Sequence, residues 1–215
     1  MQKSLVEEAA QALANKISGK LSLGKNVLFF ATGGSGMDVC VKVSEILRNQ
    51  PHENLTVTLT DERYGPVGHP DSNWQQLMEK GFGLPDAKLI PVLTGDDAST
   101  TANKFNQKLN GEFKKDSYKI GLFGIGADGH TAGILPHTGA VDSPDLAYTY
   151  KTEKFERITI TPKAILALDE AVVYAKGEEK WKTLEDLQTS RDIHDQPAQI
   201  LKTVPLLTMF TDYQK

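Results

Sequence analysis

Residues 26–36 read Asn-Val-Leu-Phe-Phe-Ala-Thr-Gly-Gly-Ser-Gly and decide the fold class of this chain. The first six form a short, nearly continuous apolar run, which is typical of a strand buried on both faces. Glycines then mark a turn, and apolar residues at helical spacing follow as far as Leu47. The segment therefore predicts a buried strand, a glycine turn and a helix in succession.

The same cycle recurs outward from this segment. Further strands are predicted at residues 55–60, 88–93, 118–123, 147–151, 157–161, 171–175 and 205–210. Helices are predicted at residues 4–17, 71–80, 99–109, 162–168, 178–188 and 197–202. Strands separated by helices predict an α/β fold, a mainly parallel open sheet with helices on both faces, as in Rossmann-like proteins. With 215 residues and no repeat or linker, we expect one domain over residues 1–215.

Composition narrows the class of function. The chain carries 24 basic and 28 acidic residues, a net charge of −4, so we expect no nucleic-acid partner. Its one cysteine, Cys40, forbids an internal disulfide and suits a reducing compartment. Acidic Glu7 and Glu8 stand where a signal peptide needs apolar residues, and no apolar run approaches the ~18 residues of a membrane span. We therefore expect a cytoplasmic protein with no membrane partner.

Ligands of open α/β sheets bind beyond the carboxyl ends of the strands, so the loops after strands are the candidate sites. In the first, Gly33, Gly34 and Ser35 precede a helix whose N–H groups and dipole favour an anion. This pattern predicts a phosphate cradle, although a tight turn without a ligand has the same sequence. No Gly-Lys-Ser/Thr follows, so it is not a Walker sequence.

Two further segments carry cations after strands. Asp61-Glu62-Arg63 offers an arginine fork suited to phosphate with a carboxylate beside it, and a surface ion pair is the alternative. Lys180 follows another strand and begins a helix, where the dipole disfavours a cation unless an anion binds nearby. A solvated lysine is the alternative there.

The segment Gly124-Ile-Gly-Ala-Asp-Gly129 matches the dinucleotide pattern, but its context is wrong because two glycines and a proline break the residues that follow. We interpret Asp128 instead as orienting His130, whose reference pKa near ~6.5 suits proton transfer. A metal site formed by Asp128, His130 and His137 fits no familiar spacing, so no metal is predicted.

Five segments together resemble the 6-phosphogluconolactonase family, within the group that includes glucosamine-6-phosphate deaminases. They are residues 124–132, 61–63, 71–73, 157–159 and 177–180, and the resemblance runs from about Asn26 to Phe210. Two departures are Gly36-Met37, where the family usually has Thr-Pro, and Ile134-Leu135-Pro136, where it has Leu-Phe-Pro. The resemblance implies an open α/β sheet of the deaminase/lactonase type.

The resemblance also implies an activity, the hydrolysis of 6-phosphoglucono-δ-lactone to 6-phosphogluconate in the pentose phosphate pathway, without a cofactor. By matching motif, Gly33, Gly34, Arg63 and Lys180 would bind the phosphate of this sugar-phosphate substrate, and His130 would be the general base. Ser35 follows Gly33 and Gly34, and Asp61 belongs to the segment of Arg63, so both are further candidate substrate-binding residues. Asp128 is a candidate catalytic residue because of its place beside His130.

Two alternatives stay open. Proteins of the deaminase branch have an Asn-Glu-Pro pattern downstream of the histidine. In this chain Leu135 stands where that glutamate would be. A sugar-phosphate sensor on the same scaffold would keep Gly33, Gly34 and a basic residue but lose the proton-transfer group, so the retention of His130 argues against it. The sequence leaves the oligomeric state undetermined.

Overall fold

A computed structural model describes residues 4–214 of the chain. The single-domain prediction covers residues 1–215, of which residues 1–3 and 215 lie outside the described residues. The α-helices are α1 (Leu5–Leu21), α2 (Met37–Leu47), α3 (Asn73–Glu79), α4 (Ala98–Phe113), α5 (Pro162–Leu166) and α6 (Trp181–Asp186). The strands are β1 (Asn26–Ala31), β2 (Leu55–Leu59), β3 (Asp61–Arg63), β4 (Lys88–Leu89), β5 (Ser117–Phe123), β6 (Ala147–Lys151), β7 (Glu156–Ile160), β8 (Glu170–Ala175) and β9 (Leu206–Thr211). Three 3₁₀ segments complete the described elements, at Gly34–Gly36, Glu178–Lys180 and Pro197–Thr203.

Six strands form a parallel sheet in the order β4-β2-β1-β5-β8-β9. Along β1, every residue from Val27 to Ala31 is buried. Because successive side chains of a strand point to opposite faces, both faces of the sheet are covered there. The prediction of an α/β fold with a mainly parallel sheet is confirmed.

A second, antiparallel sheet has the order β3-β7-β6, and it corrects two expectations. The strands predicted at residues 147–151 and 157–161 exist, but they belong to this sheet rather than to the parallel one. Asp61–Arg63, predicted to be part of a loop, is strand β3, paired with β7 from Asp61↔Thr159 to Arg63↔Arg157. A strand of three residues is too short to show an alternating pattern in sequence.

Several element boundaries differ from the sequence prediction for local reasons. Helix α1 extends to Leu21, past the predicted end at residue 17, and begins with a capping box between Ser4 and Glu7. Strand β4 has two residues, and Pro91, which has no N–H to donate, follows soon after its end. The helix predicted at residues 178–188 is a 3₁₀ turn followed by α6, and the one predicted at residues 197–202 is a 3₁₀ segment.

The topology places the site. The chain leaves β1 towards β2 on one side and returns to β5 on the other side. Loops after β1 and β5 therefore diverge, and a crevice opens at the carboxyl edge of the sheet. No helix between residues 4 and 214 is both long enough and apolar enough to cross a membrane.

Candidate active site

A cleft of about 310 Å³ is lined by the segments that follow β1, β5 and β8 and by the small sheet. The cleft brings together His130 and every residue predicted to bind the substrate: Gly33, Gly34, Ser35, Asp61, Arg63 and Lys180. Asp128 is not in its lining and contacts His130 from the side. Asn73 and Arg157 also line the cleft, although the sequence predicts no role for them there.

The glycine loop after β1 is shaped by close approaches. Gly34 has φ +60°, in the left-handed region that favours glycine. A Cβ on Gly33 would lie 2.5 Å from Oδ1 of Asn73. The loop then forms the 3₁₀ turn Gly34–Gly36, which leads directly into α2. N–H groups at the start of such a turn have no acceptor within it, which leaves them available to an anion.

Arg63 and Arg157 face each other as direct cross-strand partners of β3 and β7. Two like charges in this arrangement repel each other. Nη1 of Arg157 donates to Oδ2 of Asp61 at 3.2 Å, and Nη1 of Arg63 donates to the carbonyl of Asp71 at 3.2 Å. Both guanidinium groups also lie near the ring of Phe155, at 4.8 Å and 5.9 Å from its centroid.

Buried donors of this arginine pair are left without an acceptor. Among the described residues, four buried side-chain polar atoms lack a hydrogen-bond partner, and three of them belong to residues that line the cleft: Nε of Arg63, Nε of Arg157 and Oδ1 of Asn73. Buried polar groups in folded proteins nearly always have a partner. Unpaired donors on a repelling pair of cations fit an anionic ligand.

Glu62 connects the small sheet to helix α3. Its side chain is fully buried, and its carboxylate accepts from the N–H groups of Arg63, Asn73 and Trp74 and from the hydroxyl of Ser72, at 2.6–3.0 Å. Burial raises the pKa of Glu62, and the four hydrogen bonds oppose that shift. This carboxylate does not pair with the side chain of Arg63, so the surface ion pair considered as an alternative is wrong for Glu62.

Ser72 stabilises the start of the helix that the sequence predicts at residues 71–80. It is the N-cap of α3, and its hydroxyl accepts from the N–H of Gln75 at 3.1 Å. Glu62 and Ser72 together hold Asn73 against the glycine loop. The geometry of this corner therefore depends on a buried carboxylate outside the cleft.

His130 is held by Asp128. Nδ1 of His130 lies 2.5 Å from Oδ1 of Asp128, and the same oxygen accepts the backbone N–H of His130 at 3.1 Å. The hydrogen bond with His130 lowers the pKa of Asp128. An ionised carboxylate accepts, so in the neutral imidazole the proton is placed on Nδ1 and the lone pair on Nε2. The predicted contact between these residues is confirmed.

Lys180 ends the 3₁₀ turn after β8 and is the N-cap residue of α6. It is half-buried and lines the cleft. Within residues 4–214, no carboxylate lies within salt-bridge distance of its Nζ. His137, which the sequence offers as a possible metal ligand, contacts Asp195 through Nε2 at 3.4 Å instead.

Residues 1–208 match the model of a protein family described as glucosamine-6-phosphate isomerases/6-phosphogluconolactonase. The chain belongs to this family. A 6-phosphogluconolactonase of Synechocystis sp. is 30% identical over 178 residues, 76% of this chain and 73% of the relative. A 6-phosphogluconolactonase of Borreliella burgdorferi is 28% identical over 170 residues, 73% of this chain and 72% of the relative. The resemblance stated from the sequence motifs is confirmed.

Solved structures of this family share the fold in both of its branches. The crystal structure of 6-phosphogluconolactonase from Thermotoga maritima has a TM-score of 0.84 and 20% identity, covering 98% of this chain and 96% of that one. A monomeric glucosamine-6-phosphate deaminase has a TM-score of 0.79 and 20% identity, covering 97% and 93%. Likeness of fold therefore does not separate the lactonase from the deaminase, and the site must do so.

Proposed function

We propose that this protein hydrolyses 6-phosphoglucono-δ-lactone to 6-phosphogluconate in the pentose phosphate pathway. One observation carries the proposal: a single cleft contains the His130 base, held by Asp128, and a cluster of cations, Arg63, Arg157 and Lys180. The base suits hydrolysis of an ester, and the cations suit a phosphate. The curated relatives described above bear the name of this activity.

The substrate phosphate binds between the glycine loop and the cations. Gly33, Gly34 and Ser35 present backbone N–H groups, while Arg63 offers a planar fork and Lys180 a point charge. A bound phosphate also offsets the repulsion between Arg63 and Arg157 and gives their unpaired Nε–H groups a source of negative charge nearby.

Asp61 takes a supporting role in this proposal. Its side chain is buried and ion-paired with Arg157, and a carboxylate in direct contact with a phosphate would repel it. Asp61 therefore orients Arg157 and reaches the substrate through it. This refines the sequence expectation, which placed Asp61 among the substrate-binding residues.

The chemical step uses His130. Nε2 takes a proton from a water molecule as the water oxygen attacks the lactone carbonyl, and a tetrahedral oxyanion forms. Backbone N–H groups of the glycine-rich loops stabilise that oxyanion. The bond from the carbonyl carbon to the ring oxygen then breaks, and the imidazolium of His130 gives its proton to the ring oxygen, which becomes a hydroxyl. Asp128 stabilises the imidazolium that exists between the two proton transfers.

The deaminase alternative needs a further acid to open a pyranose ring. Leu135 stands at the position where the deaminase pattern has a glutamate. Among the described residues that line the cleft, Asp61 has the only carboxylate, and it is already paired with Arg157. The site therefore favours the lactonase.

The cytoplasmic location expected from the sequence stays a prediction.

The test compares two substrates. The wild type should accelerate loss of 6-phosphoglucono-δ-lactone above its spontaneous rate and release no ammonia from glucosamine 6-phosphate. His130→Asn should lower the lactonase rate by about 10²-fold or more, since general bases contribute ~10²–10⁴-fold. Binding of 6-phosphogluconate, measured by titration calorimetry, should be retained in that variant.

His137→Asn is the matched control, because His137 is exposed, lies outside the cleft and has φ +57°, which asparagine tolerates. It should keep full activity. Ammonia release that depends on His130 would overturn the lactonase assignment. Full lactonase activity in His130→Asn would remove this residue from the mechanism.

A further inference from the structure

Asp212 follows the last residue of β9 and reaches across to the segment after β8. Its two carboxylate oxygens accept the backbone N–H of Gly177 at 3.2 Å and 3.1 Å. One of them also accepts the indole N–H of Trp181 at 3.1 Å. The ring of the next residue, Tyr213, lies 6.3 Å from that of Trp181. Asp212, just after β9, therefore accepts hydrogen bonds from both ends of the short segment that runs from Gly177 to Trp181.

Lys180 lies inside the segment from Gly177 to Trp181. The carbonyl of Gly177 accepts the N–H of Lys180 at 3.0 Å, and Trp181 is the next residue. The 3₁₀ turn Glu178–Lys180 has no buried residue of its own. Its position therefore depends on the two groups that Asp212 holds, since the turn has little apolar contact to fix it.

The backbone at Gly177 needs such a restraint. Gly177 has φ +117° and ψ 137°, a conformation open to glycine and costly for other residues. Glycine has more backbone conformational freedom than other residues. Without its hydrogen bond to Asp212, Gly177 would therefore allow the turn to shift. Burial acts to raise the pKa of Asp212, but hydrogen bonds from the N–H groups of Trp181 and Gly177 oppose it, and the pKa is lowered overall. Asp212 is thus a carboxylate when it accepts these bonds.

We propose that Asp212 is a positioning residue that holds Lys180 at the phosphate end of the cleft. The proposal rests on the proposed function, in which Lys180 binds the substrate phosphate. Lysine is a point charge on a flexible stem, so its contribution to binding depends on where its backbone starts. Fixing that start reduces the conformational freedom lost when the ammonium group meets the phosphate.

A double-mutant cycle tests this coupling. The affinity for 6-phosphogluconate is measured by titration calorimetry, with KM and kcat for the lactone, in Asp212→Ala, Lys180→Ala and the double variant. Asp212→Ala should weaken binding by about fivefold or more and raise KM more than it lowers kcat, since contacting or coupled residues interact at this level. The double variant should bind no more weakly than Lys180→Ala alone.

Two milder variants separate positioning from a general loss of structure. Trp181→Phe removes the indole N–H and keeps an aromatic ring beside Tyr213, so it should weaken binding by less than Asp212→Ala does. Asp212→Asn keeps one carbonyl acceptor and should recover part of the affinity. Asp186→Ala is the control, because Asp186 pairs with Lys182 and Arg191 outside the cleft. It should leave the affinity unchanged.

Multiplying losses in the double variant, or an unchanged affinity in Asp212→Ala, would overturn the positioning role. A wild type that neither hydrolyses the lactone nor binds 6-phosphogluconate would instead contradict the proposed function. In that event the same cycle is measured with inorganic phosphate. Coupling between Asp212 and Lys180 in the affinity for inorganic phosphate would support the positioning role, and independent effects would reject it.

Discussion

Gly126 shows how a residue without a side chain supports the His130–Asp128 pair. A Cβ at this position would lie 2.1 Å from Nδ1 of His130 and 2.5 Å from Oδ1 of Asp128. No real Cβ contact is so short, so Gly126→Ala must displace the His130 and Asp128 side chains from their present positions. We expect its kcat for lactone hydrolysis to fall by about 10²-fold, at the lower end of the general-base range of ~10²–10⁴.

The control for this glycine is Gly111 in helix α4. A Cβ at Gly111 would meet nothing within 4 Å, so Gly111→Ala should leave kcat unchanged. It should also raise the free energy of unfolding by roughly 0.5–1 kcal/mol, because alanine replaces glycine inside a helix. A Gly126→Ala variant with wild-type kcat would show that the hydrogen bond to Asp128 is dispensable.

The arginine pair makes a second prediction at the scale of single residues. Arg63→Lys and Arg157→Lys keep the charge but lose the planar fork and its Nε–H. Each should weaken binding of 6-phosphogluconate by about tenfold, since hydrogen bonds to charged groups contribute roughly 1.5–3 kcal/mol. Calorimetric titration measures the effect, with Arg48→Lys on the exposed surface as the control. Unchanged affinity in both cleft variants would place the phosphate elsewhere.

The sequence was sufficient to predict much of this site, because its loops follow buried strands and carry glycines, cations and a histidine. The sequence places Arg157 in a family motif but predicts no role for it, since that role depends on standing opposite Arg63 across two strands. That pairing is set by strand register over a long sequence separation, which no local pattern contains. The buried environment of Glu62 was invisible for the same reason.

At the scale of elements, long periodic segments were predictable and short ones were not. Strands β1 and β8 are apolar over five residues, β5 ends in the buried run Ile-Gly-Leu-Phe, and the sequence located all three. Strand β3 has three residues, all of them charged, so nothing in its composition indicates a strand. Its partner β7 decides that it is one, which is a tertiary effect.

A histidine tether links the loop after His130 to a later segment. His194 contacts Asp192 through Nδ1 at 2.7 Å and Asp142 through Nε2 at 2.8 Å. Its carbonyl also accepts the N–H of His137 at 3.0 Å. Both ring nitrogens donate only when the imidazole is protonated. The carboxylates of Asp192 and Asp142 accordingly raise the pKa of His194.

This tether predicts a pH dependence with a definite sign. A folded-state pKa raised above that of the unfolded chain gives stability that is fully present below the unfolded value of ~6.5 and is lost as pH rises through the folded value. NMR titration should give His194 a pKa above ~6.5, and Asp142→Asn should lower it. His194→Gln should flatten the fall in stability over that window. A His194 pKa at or below ~6.5 would contradict the tether.

At the scale of the whole molecule, the site is assembled from distant parts of the sequence. The cleft takes residues from the segments after β1, β5 and β8 and from the small sheet. Half-buried Trp74 in α3 and Trp181 in α6 both pack against one connected hydrophobic core. The prediction of a single domain therefore implies that the regions around both tryptophans unfold together.

The two tryptophans provide the test, because the sequence contains no others. Trp74→Phe leaves Trp181 as the fluorescent reporter, and Trp181→Phe leaves Trp74. In each variant, the urea midpoint from fluorescence should coincide with the midpoint from far-UV circular dichroism, since a single domain unfolds in one transition. Adding 6-phosphogluconate at about 100 times its Kd should raise the free energy of unfolding by ~2.7 kcal/mol, and each reporter should show the same increase. Separate midpoints, or stabilisation of one reporter alone, would mean that the region around α6 unfolds independently of the rest of the sheet.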